Sequence, residues 1–233
     1  MGDDALALNG DLTIRAAMHG ADMDWQPSPS PSVERKRLHR VGPPEAGQVT
    51  SIVRYAPDST FPAHDHPEGE EILVLEGTFS DEHGDWPAGT YLLNPEGFHH
   101  APFSKAGCVL FVKLRQYAGE SRHHVAVRTG DLPWLASDID GVEIRSLYAE
   151  PAHPDATRLE RWGAGVAPGT RRYPGGAEIF VIDGVLEDER GRYERSSWLR
   201  LPEGAEHRPR SSAGCELYVK TGGLGSLRSS APR

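Results

Sequence analysis

The chain has 233 residues, a formal net charge of −9 and a pI near 5.6, with 37% hydrophobic and 25% charged residues. That balance supports a buried core and argues against global disorder, while an acidic surface repels phosphate backbones, so a nucleic-acid partner is not expected. No apolar run approaches the roughly 20 residues of a membrane span, the acidic opening MGDDALALNG lacks the basic and apolar regions of a secretory signal, and two cysteines make no disulfide framework; a cytoplasmic location is expected.

Glycine (26) and proline (19) make up about a fifth of the chain, against roughly 12% on average. This favours turns and short strands over long helices. In chain order, WQPSPSPSV reads as extended or loop, because its prolines oppose helix. FPAHDHPEGEEILVLEG then places His64 and His66 on one face of a strand and Asp65 on the other. The next strand starts at Glu70, and alternation puts 70, 72, 74 and 76 on a shared face. SDEHGDWPAG carries hairpin chemistry with His83-Gly84 at an exposed tip. After the strand TYLLNP and the turn Pro95-Glu96-Gly97 come His99 and His100, of which alternation lets at most one face inward. GCVLFVKL is a further buried strand.

The chain is then written again. EEILVLEGTFSDEHGDWPAGTY… matches AEIFVIDGVLEDERGRYERSSW…, with Gly77 and Gly184, Pro95 and Pro202, and Cys108 and Cys215 each 107 residues apart. Upstream, Trp25 matches Trp134 at an offset of 109. The sequence therefore divides into a first domain over 1–118 and a second over 119–233, each expected to be an all-β, antiparallel barrel or jelly roll. Each cysteine precedes an apolar strand, which fits core packing better than redox chemistry.

His64-x-His66, Glu70 and Gly77, followed by Gly89, Pro95-x-Gly97 and His100, match both motifs of the cupin superfamily at every defining position. The flanking EEILVLEG and NPEGFHHAP resemble the ChrR-like cupins in particular. The resemblance implies two tandem cupin barrels and a metal held by His64, His66, Glu70 and His100; strand alternation then turns His99 outward. Imidazoles with one carboxylate suit one divalent transition metal. The resemblance points to Fe(II) or Zn(II), with Mn, Ni and Cu compatible.

In the second copy the four ligand positions fall on Arg171, Tyr173, Ala177 and His207. One histidine does not hold a divalent ion tightly, so this barrel is expected to be metal-free. Arg171, Tyr173 and His207 either form a small-acid pocket or are structural.

Similar barrels include dioxygenases acting on diketones and hydroxylated aromatic ketones. The resemblance thus implies a metal-dependent oxygenase for a small ketone-like substrate, enclosed by an apolar wall of Ile72, Val74 and Phe111. No residue stands out as a general base. The alternative is a zinc-binding, ligand-sensing module. An anti-sigma role is not expected, because the repeat leaves too little chain before it for such a domain. The partner is expected to be a small molecule, neither nucleic acid nor membrane, and a homodimer is compatible with the sequence.

Overall fold

A computed structural model describes residues 7–43, 46–117 and 121–230. Its described residues form antiparallel strands with three single-turn 3-10 segments and no α-helix, so none offers a helix long and apolar enough to cross a membrane. Two compact units result.

In the first unit the main sheet runs, in spatial order, Ala7–Leu8, Val33–Val41, Gln48–Tyr55, Cys108–Leu114, Glu70–Asp81, Thr90–Asn94 and Val125–Arg128. A two-stranded sheet, His64–His66 against Phe98–His100, stands apart. In the second unit the order is Leu135–Ala136, Val142–Ala149, Ala156–Trp162, Cys215–Thr221, Ala177–Asp188, Ser197–Leu201 and Ala16–His19, with a small sheet of Arg171–Tyr173 against Ala205–His207. The repeat offset of 107 thus maps strand onto strand. The sequence division at 118/119 follows the repeat, whereas the compact units follow strand pairing. The first takes Asp24–Asp131 with the described residues up to Gly10, and the second takes Asp11–Met23 with the described residues from Leu132 onward. Each unit's last sheet strand, Val125–Arg128 or Ala16–His19, therefore comes from the opening segment of the other repeat.

Ladder register decides which side chains enter the first barrel. Leu110, Val112 and Leu114 lie opposite Val53, Ser51 and Val49 on one side, and opposite Val74, Ile72 and Glu70 on the other. These rows, with Val33, Tyr55, Phe79, Leu92 and Cys108, build the inner core. Each large aliphatic removed from water there contributes roughly 1.5–3 kcal/mol. Phe111 belongs to the other row, opposite Leu73 and Ile52. The expectation that it walls the cavity is corrected: the inward residues of its strand are Leu110, Val112 and Leu114.

The pairing slips between Val109 and Leu110, which face Glu76 and Val74 and leave Leu75 as a β-bulge. The bulge inverts the alternation. Before it, Glu70, Ile72 and Val74 point inward; after it, Glu76 is exposed while Phe79 and Asp81 are buried. Gly77 follows with φ +71°, and a Cβ there would sit 2.1 Å from the Gly107 carbonyl oxygen, so the bend requires glycine.

Candidate metal centre

The small sheet brings His64 opposite His100 in register, and the ladder places Glu70 on the adjoining inner face. Ligand atoms of His64, His66 and His100 all lie within 4.8 Å of one another, the one such group of three among the described residues. His66 Nε2 and His100 Nε2 are 2.9 Å apart, and Glu70 Oε2 lies 3.3 Å from the first and 3.8 Å from the second. His66, Glu70 and His100 are buried and His64 is half-buried. His99 points outward, exposed, and meets Asp65 at 2.9 Å.

Neighbours fix how these groups present themselves. The Pro62 carbonyl accepts from His64 Nδ1 at 2.8 Å, which leaves Nε2 for the cluster. Asp81 Oδ2 accepts from His100 Nδ1 at 3.1 Å, again directing an Nε2 lone pair inward. Asn94 Nδ2 donates to Glu70 Oε2 at 2.9 Å. Asp81 is itself held, its Oδ1 accepting from the backbone N–H groups of His83 and Gly84 and from Trp86 Nε1. A carboxylate behind a ligating imidazole sets its tautomer and raises its basicity.

The electrostatics follow from this packing. Burial drives His66 below the ordinary imidazole range against the pull of Glu70. Burial also pushes His100 down, but the Asp81 hydrogen bond and the charges of Glu70 and Asp81 outweigh it and hold His100 above its ordinary value. Burial would raise Glu70, yet His66, His100 and the Asn94 bond keep it ionised. The donor set therefore fits a divalent transition ion: three nitrogens and a carboxylate, with His64, His100 and Glu70 each oriented by a second group and the His66 and His100 Nε2 atoms aimed at the same point.

The cluster lies on the wall of a cavity of about 340 Å³. Apolar lining comes from Phe61, Ile72, Phe79, Leu110 and Val112, and polar lining from Ser51, Tyr55, Arg35 and Arg115. Phe61 packs edge-on to His64 at 5.2 Å and Phe79 to His100 at 6.0 Å, between ring centroids. Val74, expected as wall, packs in the same core cluster as Ile72, Leu110 and Val112 but does not line the cavity.

Asp81 was not legible from the sequence. Strict alternation places it on the face opposite Glu70, and only the Leu75 bulge brings it inside. The repeat carries a usable signal, because Asp188 occupies the same place in the second copy.

In the second unit, Arg171 stands where the first has His64. It pairs with the buried Glu160 through two bonds of 2.9 and 3.2 Å. Glu160 also accepts from Trp162 Nε1 at 2.9 Å. Burial alone would raise the Glu160 carboxyl, but the Arg171 guanidinium holds it low. His207 turns its Nε2 to Asp188 at 2.8 Å, and the Tyr173 and His207 rings lie 6.4 Å apart. Arg171, Tyr173 and His207 are thus neighbours, with an internal ion pair where the first barrel has its cluster. Cys108 and Cys215 are free and buried, and burial pushes both thiols up to about 11, away from nucleophilic chemistry.

Two antiparallel barrels in tandem, one with a histidine cluster facing its interior, define a cupin-fold protein with two cupin domains. The chain belongs to the ChrR Cupin-like domain family, whose sequence profile matches residues 13–118 and again 122–225. Cupins typically bind a divalent metal. No curated protein matches the chain in sequence. Among solved structures, a candidate dioxygenase from Nostoc punctiforme superposes with a TM-score of 0.70 at 14% identity, covering 97% of this chain and 87% of that one. The nickel(II) complex of the Escherichia coli pirin YhhW gives 0.64 at 13% identity, covering 90% and 99%. A variant of Bacillus subtilis oxalate decarboxylase gives 0.61 at 12% identity, covering 89% and 77%. At such identities the likeness is one of fold.

Proposed function

We propose that the first unit is a mononuclear metal site acting on a small ketone- or diketone-like molecule, with dioxygenase-type chemistry and Fe(II) as the metal that suits it. The observation that carries this reading is the convergence of His64, His66, His100 and Glu70 on one largely apolar cavity. His64, His66, Glu70 and His100 would hold the ion, which when bound supplies Lewis-acid polarisation of a chelating oxygen donor and, if redox-active, one-electron chemistry toward O2. The chain's own residues do the rest. Asp81 and the Pro62 carbonyl keep both imidazoles in the tautomer that offers Nε2. Asn94 anchors the Glu70 carboxylate. Phe61, Ile72, Phe79, Leu110 and Val112 exclude bulk water. Burial, and then the Glu70 charge, push the Tyr55 phenol up, so the hydroxyl lining the cavity keeps its proton and is a donor, not a base. The relatives support the reading only in part: one is a candidate dioxygenase and another holds nickel(II).

The test is oxygen consumption by Fe(II)-reconstituted protein over a panel of diketones and hydroxyaryl ketones, with ¹⁸O2 tracing. Cleavage of a carbon–carbon bond with both oxygen atoms in the products, abolished in His64→Ala/His66→Ala, is the expected result. A zinc-loaded protein that binds such compounds while the iron form consumes no O2 would replace it with ligand sensing.

A further inference from the structure

One inward row of the first barrel carries two hydroxyls. On the strand Gln48–Tyr55, the side chains of Val49, Ser51, Val53 and Tyr55 all line the cavity beside the histidine cluster. Ser51 is 2% exposed, and its Oγ has no hydrogen-bond partner among the described residues. Arg37, opposite Ser51 on the neighbouring strand, does not line the cavity. The Tyr55 ring stands edge-on to Phe79, which in turn packs against the His100 ring, each at 6.0 Å between centroids. Burial and the Glu70 charge keep the phenol protonated, so it donates. A buried hydroxyl without a partner carries a desolvation cost that a bound acceptor removes.

The second barrel shows what such a row does when the protein supplies the acceptor. At the repeat offset of 107, Ser51, Val53 and Tyr55 become Arg158, Glu160 and Trp162. The flanking strands keep the same residue types: Ser51 lies beside Val112 and then Ile72, and Arg158 beside Val219 and then Ile179. In that barrel both outer residues donate to the middle one, Arg158 Nε at 2.8 Å and Trp162 Nε1 at 2.9 Å from the Glu160 carboxylate. Arg171, which stands where the first barrel has His64, donates to the same carboxylate at 2.9 Å. The first barrel keeps a donor at each outer position but puts Val53 between them, and all three line the same cavity as His64. We infer that a ligand oxygen takes the place of the Glu160 carboxylate: Tyr55 and Ser51 donate hydrogen bonds to an acceptor oxygen of the metal-bound molecule, a carbonyl or enolate, and so decide which ketones the cavity holds. This rests on the metal-site reading above and adds the residues that recognise its substrate.

Calorimetric titration of the full-length Zn(II)-loaded chain with 1-phenylpropane-1,2-dione and with imidazole tests the inference. The dione brings acceptor oxygens to the metal, whereas imidazole takes the open metal position through nitrogen and keeps no acceptor. Tyr55→Phe should lose about five- to tenfold in dione affinity, Ser51→Ala about two- to fivefold, and the double variant at least about tenfold, while imidazole affinity changes by less than about twofold in each. Metal content is measured on every protein. Dione affinity unchanged in both single variants, an equal loss of dione and imidazole binding at full metal content, or a metal-loaded wild type that binds imidazole but no dione overturns the inference and leaves the metal site standing. A wild type that takes up no metal yet binds the dione, and loses that binding in Tyr55→Phe, overturns the metal reading alone. A chain that takes up no metal and binds no dione overturns both. Should Tyr55→Phe not fold, unchanged dione affinity in Ser51→Ala overturns the inference.

Discussion

Asp81 shows how one carboxylate outside the ligand set governs the site. It accepts from His100 Nδ1 and is locked by two backbone N–H groups and the Trp86 indole. Asp81→Asn removes the charge that holds the imidazole in its tautomer, so metal affinity should fall roughly 10–100-fold, read by chelator competition. His99→Ala, on the outer face, should leave that affinity unchanged. In the second barrel the buried Glu160 is bonded by Arg171 and, at 2.6 Å, by Arg158, so removing Arg171 leaves it with one cation fewer. Arg171→Met should cost about 1–3 kcal/mol in denaturant unfolding, since Arg158 and Trp162 still bond Glu160, whereas Arg171→Met with Glu160→Met should recover part of it. If the single variant unfolds like wild type, the pair is not an organising element of that barrel.

At the scale of the strand, the Glu70–Asp81 segment changes face midway, and Gly77 makes the bend. Gly77→Ala meets both a left-handed backbone and the Gly107 carbonyl, and should destabilise by about 1–3 kcal/mol while also weakening metal binding, because the bulge is what aims Asp81 at His100. A loss of stability with metal affinity intact would separate the bend from the site. This segment also marks how far the sequence could be read. Its apolar run, the His64-x-His66 spacing and the PxGxxH turn fixed strand identity and the convergence on the cavity, because period-two alternation holds within short strands. Asp81 and the outward row of Phe111 escaped, because a bulge and the pairing register are set by contacts with neighbouring strands and leave no local signature. Val53 and Glu160 differ by one substitution in the repeat, yet what each does depends on the strand beside it.

For the whole molecule, the internal repeat made both barrels legible, while the exchange of the Ala16–His19 and Val125–Arg128 strands had no signal beyond their own β character. Acid stability follows from the buried carboxylates of the second unit. Burial opposes ionisation of Asp188, but His207, Arg15 and backbone bonds hold it well below its ordinary 3.8, and Glu160 is likewise held below 4.5. Depressed carboxylates stabilise fully above their unfolded values and lose that contribution as pH falls through the folded ones. Melting temperature should therefore be insensitive to these groups between about pH 5 and 7 and decline below about pH 4.5. Asp188→Asn should be less stable than wild type at pH 7, with the two curves converging in acid; parallel curves would remove Asp188 from this role. Everything proposed for the first barrel depends on one bound ion, and metal content by mass spectrometry on untagged protein is its most immediate measurement. One equivalent of a divalent transition metal per chain is expected, lost in His64→Ala/His66→Ala and retained in His207→Ala. Little metal after reconstitution, or a full equivalent surviving the double histidine variant, would contradict it.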